Sequence, residues 1–158
     1  MMQDTSLTIA LADPAGPEAQ ACLARYFEEL QQRFDTGFDP AASVSASPEE
    51  LVPPSGYFLI ARLDGAAVAC GALKVQGQGF GELKRMWVAP QVRGMGLARR
   101  LLAALEAQAV AAGVRVLRLD TSRHLPEAHA LYIKNGYVEI AAYNDNPYAD
   151  HWFEKRFS

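Results

Sequence analysis

The stretch from Glu82 to Thr121 limits the possible folds more than any other part of the chain. It opens with an apolar run, "ELKRMWV", that stops at Pro90. Two glycines, Gly94 and Gly96, lead into a leucine-rich segment that ends at Gly113, and "VRVLRLDT" follows. Within Gly96–Ala112, Leu97, Leu101, Leu102 and Leu105 share one arc of a helix, while Arg99 and Glu106 lie outside it. Gly113 matches a helix stop. Strand, helix and strand in this order predict a right-handed crossover between parallel strands of one sheet. On the first strand, alternation puts Leu83, Arg85 and Trp87 on one face, and Glu82, Lys84, Met86 and Val88 on the other.

The remaining segments decide what surrounds this unit. "LTIALA" (Leu7–Ala12) reads as a strand closed by Asp13-Pro14. Glu18–Arg33 carries Leu23, Phe27 and Leu30 at helical spacing. From Phe34 to Ser55, Gly, Pro and Ser accumulate, which predicts a long loop with a helical turn at Pro48–Leu51. "YFLIARL", Asp64-Gly65 and "AAVACGALKV" read as a hairpin, and "GQGFG" supplies the next turn. Pro126 opens a short helix, "EAHALYIKN", with Gly136 as its C-terminal glycine. "YVEIAAY" and "HWFEKRF" close the chain as strands around "NDNPYAD". A hairpin and meander ahead of one crossover predict an α/β (α+β) fold with a mixed, mostly antiparallel sheet, in a single domain over residues 1–158.

The formal net charge of −3 makes nucleic acid a poor partner, so any anion site must be a local concentration of positive charge. No apolar run reaches the roughly 18 residues of a membrane helix. "MMQDTSLTIALADPAG" has no positive charge ahead of its apolar run and does not read as a signal peptide. The expected setting is cytoplasmic, without a membrane partner. Cys22 and Cys70 are too few and too far apart along the chain for a disulfide scaffold or a zinc site, and read as reduced structural thiols. His124, His129 and His151 show no metal-ligand spacing with a cysteine or carboxylate, so no metal is expected.

The glycines before the leucine helix point to chemistry. A helix start leaves four backbone N–H groups without intrahelical partners, and their dipoles sum to about half a positive charge. Glycine lets a bulky anion come close to them. Arg93 and Arg99 add charge, and a guanidinium can hold two phosphate oxygens at once. A diphosphate suits such a site. No Gly-Lys-Ser/Thr follows, and position 99 is Arg, so neither a nucleotide P-loop nor the dinucleotide fingerprint is present.

The run R-x-x-G-x-A at Arg93, Gly96 and Ala98, followed by "ALYIKNGY" (Ala130–Tyr137), resembles the acetyl-CoA-binding signature and the Leu-Tyr element of the GNAT acetyltransferase superfamily, in that family's order. The resemblance covers Tyr57–Tyr137. It implies a GNAT-like sheet splayed between its central strands, "ELKRMWV" and "VRVLRLD". Acetyl-CoA is then the cosubstrate, its diphosphate held at Arg93, Gly94, Met95, Gly96, Leu97, Ala98 and Arg99. The pantetheine arm lies along main-chain groups at Met86, Trp87 and Val88, as strand addition with a cofactor in place of a peptide. Leu125 stands where many members carry an asparagine that bonds this arm.

The reaction so implied is acetyl transfer to an amine. A neutral alkyl amine at pH 7 costs roughly 4–5 kcal/mol, and an α-amino group about 1 kcal/mol. Tyr132, the tyrosine of the Leu-Tyr element, is the implied general acid at the departing sulfur. Glu82 is a candidate catalytic base or amine ligand, with a solvated strand end or a pair with Lys84 or Arg85 as the structural alternative. In "AYNDNPYADHWF", Tyr143, Asn144, Asp145, Asn146 and His151 are candidates to bind a small-molecule amine acceptor, although Asn, Asp and Pro are also what a tight loop requires. A non-catalytic CoA-binding module and an acetyltransferase for a protein N-terminus or lysine are the competing readings. The oligomeric state is open, a homodimer included.

Overall fold

Asp64 and Gly65 both take positive φ, 52° and 87°, the backbone of a two-residue type I′ hairpin. They join β2 (Gly56–Leu63) to β3 (Ala66–Gly77). Gln78 and Gly79 repeat the device, at 55° and 83°, between β3 and β4 (Phe80–Val88). The computed structural model describes residues 6–39 and 46–157. It adds β1 (Leu7–Leu11), α1 (Pro17–Arg33), α2 (Leu97–Ala111), β5 (Val116–Thr121), α3 (Pro126–Lys134), β6 (Val138–Ile140) and β7 (His151–Arg156). The helical turn falls at Pro48–Leu51, as expected, while residues 40–45 of the same predicted loop lie outside the described residues. No described helix is long and apolar enough to cross a membrane.

The strands form one sheet in the order β1-β2-β3-β4-β5-β7-β6, antiparallel throughout except for β4 and β5. That parallel pair is the one joined through α2, as the strand–helix–strand reading requires. β6 has three residues where seven were expected. Beyond Ile140 the chain leaves the sheet, because Tyr143 bonds Glu82 and Asn144 bonds Asp120.

Each face of the sheet has its own core. α1 packs Ala19, Cys22 and Leu23 against Phe58, Ile60, Cys70 and Trp87. Both cysteines are free. On the other face, Leu101, Leu102 and Leu105 of α2 meet Leu59, Leu73, Leu83, Leu117 and Phe153, with Tyr132 of α3 in the same cluster. Complete burial of one such leucine contributes about 1.5–3 kcal/mol. Gly71 lets α2 come this close: a Cβ there would stand 2.7 Å from Leu105 Cδ1 and 2.8 Å from Met86 Sδ.

The expected alternation along β4 fails at one point. Cys70 faces Trp87 and Ala72 faces Lys84, so β4 spends one more residue than β3 between these pairs. Arg85, at φ 59°, takes up the extra length as a β-bulge. Beyond it the faces exchange: Leu83 joins Met86 and Val88 on the α2 side, while Trp87 turns to α1. Glu82 therefore does not share a face with Met86. A bulge bends its strand, and β4 keeps register with β5 only at Phe80–Val116, Gly81–Leu117 and Glu82–Arg118. Past that point the sheet is splayed.

Candidate active site

The chain enters α2 through left-handed backbone, which is why glycines stand there. Gly96 caps the helix at φ 78°, and Gly94 sits at 85°. A Cβ on either would meet no protein atom within 4 Å, so the space above them is open. The first turn contains no acidic residue and Gly96 offers no side-chain cap. The first intrahelical bond runs from Arg100 N–H to the Gly96 carbonyl, which leaves the preceding amide protons directed out of the helix start.

This helix start opens into a cleft of about 470 Å³ that follows the splay. Met86, Trp87, Val88, Arg93, Gly94, Gly96, Leu97, Ala98 and Arg99 all line it, so nine of the residues singled out from the sequence come together. Met95 does not line it, and its side chain is exposed. Leu125, Lys134 and Asn135 form the α3 side, with Tyr132 at the inner end. Burial, and then the negative charge of Asp120, raise the Tyr132 pKa above the ordinary phenol value, so the hydroxyl remains a proton donor.

Arg93 is not the free cation its position in the sequence suggests. Its Nη2 donates to both oxygens of Glu29, at 2.6 and 2.8 Å, and its Nε donates to the Val88 carbonyl at 3.0 Å. Glu29 also accepts from Trp87 Nε1 at 3.2 Å and pairs with Arg33 Nε at 2.9 Å. Arg33 reaches on to Glu127 of α3. The chain thus spans the cleft wall with an ionic string from α2's approach through α1 to α3. Arg99 and Lys134, both exposed, remain as the cations facing the opening.

Behind Tyr132 lies a second, smaller cavity of about 110 Å³. Tyr26, Leu30, Met86, Leu125, Ala128 and Tyr132 border both spaces, so the two meet at the tyrosine. Its other walls include Phe27, Phe34, Phe38 and Tyr148, the Arg85 side chain and, at the end of β5, Asp120. Asn144 Nδ2 donates to Asp120 Oδ2 at 2.9 Å and Asn146 Nδ2 to Oδ1 at 3.1 Å. Trp152 Nε1 in turn holds Asn144 Oδ1 at 3.0 Å. Asp120 escaped the sequence reading. The signal was its place as the first charged residue at the carboxyl end of a strand on the parallel pair, where α/β sheets place ligands.

Five sequence candidates lie elsewhere. Glu82 is buried but borders neither cavity; its carboxylate accepts from Gln76 Nε2 and Tyr143 Oη, each at 2.8 Å, and pairs with Lys84 Nζ at 3.2 Å. The bulge accounts for this, since it leaves Glu82 in the paired part of β4. Tyr143 is spent on Glu82, and burial with that neighbouring charge raises its pKa. Asn144 stands behind Asp120, and Asn146 alone of the five acceptor candidates reaches the cavity wall. His151 packs beside His129 of α3, and its Nδ1 bonds Glu139 Oε2 of β6 at 2.8 Å. Asp145 is exposed.

Comparison with known proteins agrees with this geometry. The chain is 34% identical to an IAA acetyltransferase of Azospirillum brasilense over 135 residues, which is 85% of this chain and 86% of that protein. It is also 34% identical to a Klebsiella pneumoniae protein described as an acyl-CoA N-acyltransferase, with a TM-score of 0.76 over 95% of this chain and 97% of that one. The PaiA N-acetyltransferase of Thermoplasma acidophilum, solved with coenzyme A, shares the fold at 18% identity, with a TM-score of 0.71 over 96% and 99% of the two chains. Residues 23–137 match the model of the Acetyltransferase (GNAT) family, and the chain belongs to that family.

Proposed function

We propose that the protein moves an acetyl group from acetyl-CoA to the amine of a small molecule by direct attack. The observation that carries this reading is the meeting of the open cleft and the inner cavity at Tyr132. The residues present fit the coenzyme. The amide protons at the start of α2 suit a diphosphate, with Gly94 and Gly96 keeping the approach open and Arg99 and Lys134 adding charge. The edge of β4 beyond Glu82, unpaired with β5, suits the amide groups of the pantetheine arm. When bound, acetyl-CoA supplies an activated thioester.

The chain's own groups then divide the work. Asp120, fixed by two side-chain amides, holds and orients the acceptor nitrogen. Both of its oxygens already accept from amides, an arrangement that suits an amine ligand better than a strong base. Tyr132 keeps its proton through neutral pH and presents it at the inner end of the cleft, where a departing sulfur needs a donor. Four aromatic walls suit an acceptor with an apolar or aromatic body, and the small cavity volume suits a compact molecule better than a peptide chain.

The test is a thiol-release assay with acetyl-CoA and a panel of amino acids, aromatic amines, polyamines and short peptides. Turnover is expected with compact amines that carry an apolar or aromatic group. Protein that binds CoA yet turns over none of the small amines overturns the reading.

A further inference from the structure

Three side chains far apart in sequence meet on the α3 side of the sheet, outside both cavities. His129 comes from α3, Glu139 from β6 and His151 from β7, and one ligand atom of each lies within 4.8 Å of the others. His151 Nδ1 and Glu139 Oε2 are already 2.8 Å apart. The centroids of the two imidazole rings stand 4.7 Å apart, with the rings tilted by 44°. Fully buried Phe153 backs both, at 5.3 Å from His129 and 6.3 Å from His151.

We propose that His129, Glu139 and His151 form a binding site for a divalent transition-metal ion of the zinc class. A tetrahedral ion about 2.0–2.2 Å from each ligand places neighbouring ligand atoms about 3.4 Å apart. The observed spacing brackets that value, and exposed Glu139 is the group able to adjust. Two imidazoles and one carboxylate select zinc, nickel, cobalt or copper over magnesium and calcium, which prefer all-oxygen shells. Three protein ligands leave a fourth position for water. The sequence concealed the set, because its members belong to three elements and follow no short-range spacing.

The position gives the ion a consequence. His129 precedes Tyr132 by one helical turn, and both rings pack on Phe153. A metal bridge there clamps α3, the helix that presents Tyr132, to the β6–β7 hairpin. The site itself stands independently of the acetyl-transfer reading.

Untagged protein stripped with a chelator and titrated with zinc chloride in a calorimeter tests the assignment, alongside thermal unfolding with and without zinc. One equivalent per chain and a raised Tm are expected, with magnesium giving neither. His151→Ala, His129→Ala and the exposed change Glu139→Gln should each weaken zinc binding at least tenfold. Glu139→Gln keeps the test valid if a histidine variant fails to fold. Zinc binding that all three variants leave unchanged, or that follows His124→Ala instead, overturns the proposal, as does the absence of stoichiometric binding.

Discussion

Tyr143 donates its phenolic proton to Glu82 at 2.8 Å, and the bond completes a polar group around buried Glu82 that includes Gln76 and Lys84. Removing the carboxylate charge takes an ion-pair partner from Lys84, itself buried at its side chain. Glu82→Gln should therefore lower unfolding stability by about 1–3 kcal/mol, read from urea denaturation. Acetyl transfer per folded molecule should stay within about threefold. A hundredfold loss of turnover at unchanged stability would return Glu82 to the reaction.

Asp120 carries the opposite expectation. Asp120→Asn keeps the shape and removes the charge that faces the inner cavity. A charge-assisted hydrogen bond contributes about 1.5–3 kcal/mol, so kcat/KM for the acceptor should fall about 10- to 100-fold. The CoA dissociation constant should hold within a factor of about three. Equal losses on both substrates would show that the change has merely disturbed β5.

Gly96 and Gly113 form an internal control at the two ends of α2. They share nearly the same φ, 78° and 85°, and at neither would a Cβ meet a protein atom within 4 Å. Valine at either position costs backbone strain of about 1–2 kcal/mol. Only Gly96→Val should also raise the CoA dissociation constant, by tenfold or more in equilibrium dialysis. Similar effects from both variants would remove the diphosphate from the helix start.

Tyr132→Phe should reduce turnover by about 100-fold while leaving CoA affinity unchanged. The pH behaviour follows from the raised pKa values of Tyr132, Tyr137 and Tyr143, for which burial is the largest cause. A folded-state pKa above the unfolded value of about 10 means that folding favours the neutral phenol. That stability is complete below about pH 10 and is lost as pH rises beyond it. Denaturation midpoints should fall between pH 9 and 11, with delayed phenolate absorbance at 295 nm. A single absorbance transition near pH 10, without loss of stability, would contradict these assignments.

What could be read from the sequence was local. Gly94, Gly96 and Tyr132 sit in contiguous stretches whose backbone requirement is written in neighbouring residues, and the strand–helix–strand order follows from periodicity. The bulge at Arg85 has no such mark: one extra residue on one strand exchanges the faces beyond it, and with them the setting of Glu82. Glu29 and Asp120 were missed for a related reason. Each acquires its role through partners far along the chain, Arg93 for the one and Asn144 and Asn146 for the other.

The ladder between β4 and β5 has only three registered pairs. Main chain carries no record of which side chain hangs from it, so a pantetheine arm bound as proposed would place no demand of its own on the identities of Leu83 to Val88. The limits on those side chains come from the two cores instead, Leu83 against α2 and Trp87 against α1. At Gly96 the order reverses: a Cβ would meet no protein atom there, so any demand for glycine beyond its backbone angle would come from the proposed guest alone.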